Sequence, residues 1–462
     1  MQCSAMRRCL KGLGGFPPCL RTRFSDGPPH GPAGRLRLSL SDAQIIAAWA
    51  AFASSYLVFA VGKFPGLKID RPGAAIVGAV VMVAIKVVSP ANAIRSVDFA
   101  TIVLLFAMML IVATLRLGGF FDLVAERLVA HLEPAHLLPA IVLTSGVLSA
   151  FFVNDIVCLV LAPFVILISR RMRLNPVPHL LALATASNIG SVATITGNPQ
   201  NMLIGSYSGI SYRSFLAHLA PVAVAGLFVD WLVLWWLWRG KLAATREMPG
   251  ASHQGHEGFR SRHERGQLIK PILVMAAVLI GFLLGVPPAM MAALGAATLL
   301  VIHARDPREM YDEVDWGLLV FFVGLFVIVR GAEESGLVAR LLSGFQFLNL
   351  HRPAPFSAVV VALSNLVSNV PAVMLLKSLV PQFSNARAAW LMLAMASTLA
   401  GNLTITGSVA NIIVVERARE VMRGGLATSG DAHIGFREYA RVGVPVTVLT
   451  VALGTLWVWW TS

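Results

Sequence analysis

Asparagine, serine and threonine recur in two matched clusters, and their neutral oxygens could hold a small cation or hydrogen-bond an anion. One stretch reads Ser187-Asn188-Ile189-Gly190-Ser191-Val192-Ala193-Thr194-Ile195-Thr196-Gly197-Asn198-Pro199-Gln200-Asn201. The other reads Thr398-Leu399-Ala400-Gly401-Asn402-Leu403-Thr404-Ile405-Thr406-Gly407-Ser408-Val409-Ala410-Asn411. The register is constant (404 − 194 = 210; 411 − 201 = 210). A second matched pair lies upstream, Ser149 with Asn154 and Ser364 with Asn369 (364 − 149 = 215; 369 − 154 = 215). Unwound carbonyls with Asn and Ser oxygens suit Na⁺, and half-helix N-termini suit anions. The candidate ligands of the first copy are Ser149, Asn154, Asp155, Asn188, Gly190, Thr194, Thr196, Gly197, Asn198 and Asn201. Those of the second are Ser364, Asn365, Asn369, Gly401, Asn402, Thr404, Thr406, Gly407, Ser408 and Asn411. Na⁺ is expected at Ser149, Asn154, Asp155, Ser364 and Asn369. The competing reading is that small polar residues merely pack helices together. Two copies at a fixed register favour function.

Asp155 and Asp230 are the acids deep inside apolar sequence. An intramembrane carboxylate is a functional hypothesis by default. Asp155 follows Asn154, and its register partner Val370 is apolar, so Asp155 is expected to bind a coupling cation or proton. Asp230 sits among Trp231, Trp235, Trp236 and Trp238, and structural and functional roles both stay open. Arg330 and Lys377 could attract an anion, although Glu333 and Glu334 lie within a turn of Arg330 and offer a local ion pair. Lys86, near a span end, could snorkel.

Helices must position these residues, because the surroundings are lipid-like. The chain of 462 residues is 56% hydrophobic and 13% charged, against about a quarter charged in soluble domains. Apolar segments fall at 44–61, 73–89, 98–115, 137–168, 178–208, 216–238, 270–286, 288–304, 315–331, 354–383, 387–415 and 442–460. Spanning takes roughly 20 helical residues. The four long interrupted segments therefore read differently from simple spans. Those at 137–168 and 354–383 read as re-entrant hairpins, interrupted by Asn154-Asp155 and by Asn365, Ser368, Asn369 and Pro371. Those at 178–208 and 387–415 read as helices broken at Thr-Ile-Thr-Gly. The expected fold is an all-α polytopic membrane protein of two inverted repeats. Each repeat has five transmembrane helices plus one re-entrant hairpin, with broken helices at the site. The expected boundaries are a basic tail at 1–42, repeats at 43–238 and 270–462, and a basic linker at 239–269.

The net charge of +14 is spread over short loops, which reads as orientation signal rather than nucleic-acid binding. It places the 239–269 loop in the cytoplasm. Alternation then puts the basic tail outside, against the same rule, unless residues 1–42 are a transit peptide or a mis-started segment. The expected membrane is a bacterial-type plasma membrane, or an organelle membrane if the tail is a transit peptide. The four cysteines give no disulfide or metal spacing, and Cys158 reads as an apolar filler. The loop histidines His253, His256 and His263 are irregularly spaced. No phosphate-binding loop or nucleophile elbow points to an ATP-driven pump or an enzyme. No cofactor is expected beyond Na⁺ or H⁺ as coupling ion.

These motifs resemble the ion transporter superfamily of divalent anion:sodium symporters, citrate permeases, arsenite permeases and sodium/proton antiporters. The carriers are Ser149-Ala-Phe-Phe-Val-Asn154-Asp155, Ser187-Asn-Ile-Gly190, Thr196-Gly-Asn-Pro-Gln-Asn201, Leu363-Ser-Asn365, Ser368-Asn-Val-Pro371 and Thr404-Ile-Thr-Gly-Ser-Val-Ala-Asn411. The resemblance covers about residues 44–460. It implies sodium and a small anion between the hairpin tips and broken helices, a homodimer, and an elevator-like transport domain. The dicarboxylate symporters carry Ser-Asn-Thr at both tips. Here the tips read Val153-Asn154-Asp155 and Ser368-Asn369-Val370, closer to the arsenite and antiporter branches. No cysteine lies at a site motif, so a thiol-based arsenite mechanism has no support. The reading is a secondary active transporter of an inorganic or carboxylate anion. The alternatives are a sodium/proton antiporter using Asp155 and an anion sensor that moves nothing.

Overall fold

The computed structural model describes residues 40–62, 68–131, 133–240, 268–302, 306–344, 348–423 and 434–462. The tail before residue 40, most of the 239–269 linker and its three histidines lie outside them. Twenty α-helices form among the described residues. The first ten are α1 (Asp42–Val61), α2 (Arg71–Ala84), α3 (Pro90–Ser96), α4 (Phe99–Leu117), α5 (Phe120–His131), α6 (Leu137–Phe151), α7 (Asn154–Arg171), α8 (Pro176–Ser191), α9 (Pro199–Ser208) and α10 (Tyr212–Trp238). The rest are α11 (Ile269–Leu283), α12 (Pro288–Ile302), α13 (Pro307–Asp312), α14 (Trp316–Glu334), α15 (Leu337–Gly344), α16 (Pro353–Val367), α17 (Asn369–Leu376), α18 (Ala386–Leu399), α19 (Val409–Arg423) and α20 (Phe436–Thr461).

Helix starts follow local chemistry. Ser41, Asp70, Ser89, Asp98, Asn175, Asn198, Ser211, Asp306, Asp315 and Asn385 each accept a hydrogen bond from a backbone N–H of the first turn. Such caps satisfy N–H groups that the helix leaves free. Asp98 and Asp315 open α4 and α14, as their matched positions suggest.

Among the described residues, six helices are long and apolar enough to cross a membrane, and four more are apolar but shorter. Large apolar side chains point outward, including Val301 (84% exposed), Leu284 (79%) and Trp460 (78%). Water would penalise such a surface and lipid does not. The chain is therefore an all-α integral membrane protein.

Small residues set the close approaches inside. α14 packs on α2, and α4 packs on α12. A Cβ on Gly324 of α14 would lie 2.5 Å from the Ala75 carbonyl oxygen of α2. α6 packs on α8, where a Cβ on Gly190 would lie 2.0 Å from the Gly146 carbonyl oxygen. The absence of a side chain at Gly190 thus lets α8 approach α6 closely.

One interruption falls beside the expected residues and the other on one of them, Ser368. The α6–α7 break is at Phe152-Val153, and Asn154 and Asp155 open α7. A polar pair at a helix start meets the free N–H groups there, so it need not break the helix. The α16–α17 break is Ser368 alone, at φ 78° and ψ 157°. Asn365 lies within α16 and Pro371 in the first turn of α17, where proline loses no helical hydrogen bond. Lys86 is beyond the end of α2, exposed, so it needs no snorkelling within a span. Arg71 starts α2, ahead of the apolar segment at 73–89, and has its Nε buried without a hydrogen-bond partner.

Replacing Gly324 by alanine should force α2 and α14 apart. The expected loss is about 1–3 kcal/mol, typical of overpacking, read as an earlier thermal transition of purified protein. An unchanged transition would mean that this backbone contact is not close.

Candidate functional site

The break between α8 and α9 is a short 3₁₀ turn at Ile195–Gly197, and its counterpart between α18 and α19 lies at Ile405–Gly407. Thr194 and Thr404 precede these turns with nearly the same backbone angles (φ −134° in both; ψ 162° and 161°). Their hydroxyls reach equivalent places. Thr194 donates to the Ala150 carbonyl, and Thr404 donates to Asn365 Oδ1 at 3.0 Å (365 − 150 = 215). Asn201 Nδ2 donates to the carbonyls of Ser191 and Thr194, each at 3.0 Å. Asn411 Nδ2 donates to those of Gly401 (2.6 Å) and Thr404 (3.1 Å). Thr194, Asn201 and Asn411 thus satisfy backbone carbonyls at the breaks, as buried carbonyls require, and Thr404 braces its turn through the Asn365 side chain. Gly197 and Gly407 lie against the same turns, where a Cβ would fall 2.3 Å from the Ser191 carbonyl oxygen and 2.9 Å from that of Gly401.

Asn188 ties the two copies together. Its Oδ1 accepts from Asn154 Nδ2 (2.8 Å) and Ser408 Oγ (3.0 Å). Its Nδ2 donates to Asn402 Oδ1 (2.8 Å) and Asn411 Oδ1 (3.0 Å). Its register partner is Thr398 (398 − 188 = 210), which reaches the other way. Thr398 Oγ1 accepts from Asn198 Nδ2 (3.1 Å) and Gln200 Nε2 (3.3 Å) and donates to Asn201 Oδ1 (3.3 Å). Sequence reasoning missed Thr398 and Gln200 as members, although the 210 register marks Thr398.

Four oxygens stand apart. Ser149 Oγ, Asn154 Oδ1, Ser364 Oγ and Asn369 Oδ1 are buried without a hydrogen-bond partner. Serine hydroxyls inside helices ordinarily bond back to a carbonyl three or four residues earlier. Ser145, Ser187 and Ser191 all do so. Ser149 and Ser364 do not. All four oxygens lie at the two breaks, α6–α7 and α16–α17. A buried unpaired oxygen is costly, and a cation coordinated at each break would satisfy that break's pair. α7 packs against α19, and α17 packs against α9, so each break adjoins a broken helix of the other copy. Asp155, half-buried, faces the Ala410 backbone N–H at the start of α19, with Arg71 and Asp315 as its charged neighbours.

The model of the citrate transporter family matches residues 56–400. The chain belongs to the citrate transporter family. A silicon efflux transporter of Oryza sativa subsp. japonica is 30% identical over 469 residues, covering 87% of this chain and 95% of the relative. A 46 kDa membrane protein of Mycobacterium leprae is 30% identical over 416 residues, covering 85% and 94%. A Dictyostelium discoideum chain carrying the transporter name arsB is 25% identical over 504 residues, covering 84% and 87%. The protein is a membrane transporter.

In this family member the other basic candidates are engaged elsewhere. Arg330 Nε donates to Glu334 at 2.8 Å, and Lys377 Nζ lies 3.8 Å from Glu333 and 4.5 Å from the centre of the Tyr207 ring. The local ion pair is the correct reading of Arg330. Thr196 is buried under Tyr212, whose hydroxyl is 3.1 Å away, whereas Thr406 is exposed. The two loops share a backbone but not an environment.

Asn188→Ala should destabilise the fold more than Thr398→Ala. The first strands four close partners, each worth about 1–3 kcal/mol when buried and unpaired. The second strands three longer contacts. Thermal unfolding of the purified variants checks the order, and equal losses would remove Asn188 from its central place.

Proposed function

We propose that this transporter is secondary active and moves a small inorganic or carboxylate anion, coupled to Na⁺ or H⁺. The four partnerless oxygens at the two breaks carry the reading. Ser149 with Asn154 and Ser364 with Asn369 form two neutral oxygen pairs, and carbonyl and hydroxyl oxygens are what a dehydrated Na⁺ requires. Helix starts at Asn154, Pro199, Asn369 and Val409 lie beside them and favour negative charge. Two inverted repeats, each with five spans and a re-entrant hairpin, account for the recurring order of α1–α10 in α11–α20. A homodimer with an elevator-like transport domain follows from the same family plan. Asp155, beside Arg71 and the start of α19, takes part in coupling.

The related silicon efflux transporter favours an inorganic cargo over a carboxylate. The antiporter reading rests on Asp155 alone and needs no anion.

Purified protein in proteoliposomes, with Na⁺ and pH gradients imposed separately, tests the proposal. Radiolabelled citrate, succinate, sulfate, phosphate and arsenite are the cargo panel. One of them should accumulate under a gradient. Ser149→Ala and Ser364→Ala should each weaken the Na⁺ dependence about tenfold, near 1.4 kcal/mol for a lost ligand. Asp155→Asn should abolish coupled flux without unfolding the chain. Proton movement driven by Na⁺ with no anion accumulated, lost in Asp155→Asn, would replace the proposal with the antiporter.

A further inference from the structure

Asp230 of α10 is completely buried, and among the described residues no cation lies within ion-pair distance of it. One of its oxygens, Oδ1, has no hydrogen-bond partner. The other, Oδ2, lies 3.0 Å from Thr185 Oγ1 of α8. The same hydroxyl lies 2.8 Å from the Leu181 carbonyl oxygen, one turn earlier in α8. A threonine hydroxyl has a single hydrogen. It cannot serve both acceptors. The shorter contact is the ordinary back-bond of a helical threonine and takes the hydrogen. Thr185 Oγ1 then presents a lone pair to Asp230 Oδ2. Two bare oxygens would repel, whereas a proton on Oδ2 completes the bond and leaves a neutral acid. Neutrality also suits a site without a counter-ion, where a charge is expensive.

The acid is wired to the centre of the site. The Thr185 carbonyl accepts from Asn402 Nδ2 at 3.2 Å, and Asn402 Oδ1 accepts from Asn188 Nδ2. Asn188 Oδ1 in turn holds Asn154. The side chains around Asp230 leave it alone in this role. Tyr439 of α20 faces it, and Cys158 of α7 faces Tyr439. α6 carries no ionisable side chain. His179 of α8 turns to the Asn175 carbonyl, and Arg387 of α18 binds Ser214. Lys270 of α11 and Arg437 and Arg441 of α20 are exposed, and Glu438 caps its own helix at Gly435.

We propose that Asp230 is a proton-binding site of the transport cycle, separate from the neutral cation sites and from Asp155. Protonated, Asp230 donates from Oδ2 to Thr185, and Thr185 donates to Leu181. On release the proton leaves as H⁺, the carboxylate becomes an acceptor, and the Thr185 hydroxyl turns from Leu181 to Asp230. That turn frees one α8 carbonyl next to the carbonyl that holds Asn402. The proposal rests on the coupled-transport reading for its consequence, but the proton itself can be observed without transport.

Infrared difference spectra of purified protein between acidic and alkaline buffer should show a carboxylic-acid C=O band. Asp230→Asn, which keeps the size and the acceptor, should lose that band. Thr185→Val should shift it, since the acid loses its hydroxyl partner. In proteoliposomes, transport by Asp230→Asn should lose its pH dependence. A band that survives in Asp230→Asn, or one that does not change with pH in the unmodified protein, overturns the proposal. So does a normal pH profile in Asp230→Asn. A band that behaves as expected in a protein that moves no ion would sink the coupled-transport reading and leave the proton on Asp230.

Discussion

A helix that breaks inside a bilayer frees carbonyls that no water can reach. Everything at the centre of this protein follows from how those carbonyls are held. Asn201 and Asn411 each bind two of them with one amide, and both asparagines sit one turn into the helix that follows the break. That placement requires the chain to fold back closely on itself, so only glycine fits at 197 and 407. It also requires a neighbouring helix to cover the break, which Thr194 and Thr404 provide by reaching to α6 and α16. The polar residues are therefore the means by which unwound backbone survives in lipid. Of the buried oxygens that remain unpaired, four lie at the α6–α7 and α16–α17 breaks.

That division explains what could be read from the residues alone. The two registers of 210 and 215 locate both breaks and all four free oxygens, because spacing survives without coordinates. Residue type does not separate a brace from a ligand. Thr194, Asn201 and Asn411 read like their neighbours in sequence, and only the structure shows that their donors bind backbone carbonyls while Thr404 donates to Asn365 Oδ1. Gly190 looks like part of a motif, yet it exists to let α8 touch α6. Asn154 looks like an interruption, yet it begins a helix. Arg330 looks like an anion contact, yet Glu334 is one turn away and takes it. Each of these needs a hydrogen-bond inventory in three dimensions. Thr398 was recoverable from its register with Asn188, but threonine opposite asparagine hides the correspondence.

The two copies share a scaffold and differ in their fittings. Val153 joins α6 to α7 in ordinary extended geometry, while Ser368 joins α16 to α17 at a positive φ that side chains rarely adopt. Asn188 holds Asn154 in place, but no equivalent amide holds Asn369, because Thr398 turns to the other loop. Tyr212 covers Thr196, and Thr406 is open. A symmetric scaffold provides two equivalent arrangements of similar energy, and such differences decide which is favoured. Under the transport reading, the strained and less tethered α16–α17 break is the part best able to rearrange when an ion binds or leaves.

The charge balance constrains how an anion could be bound at all. Arg330 and Lys377 are occupied by glutamates, and Arg71 lies beside Asp155, so the positive side chains near the site are offset. The neutral oxygen pairs cannot attract an anion by themselves and would repel one at close range. A cation seated on Ser149 and Asn154, or on Ser364 and Asn369, reverses that. It would convert an acceptor-only surface into a positive one beside the starts of α7 and α17. The anion then has a reason to bind only after the cation. Under the coupled-transport reading this offset matters: a basic residue free of acids would bind the anion with or without the gradient-driven ion, and flux would no longer depend on it.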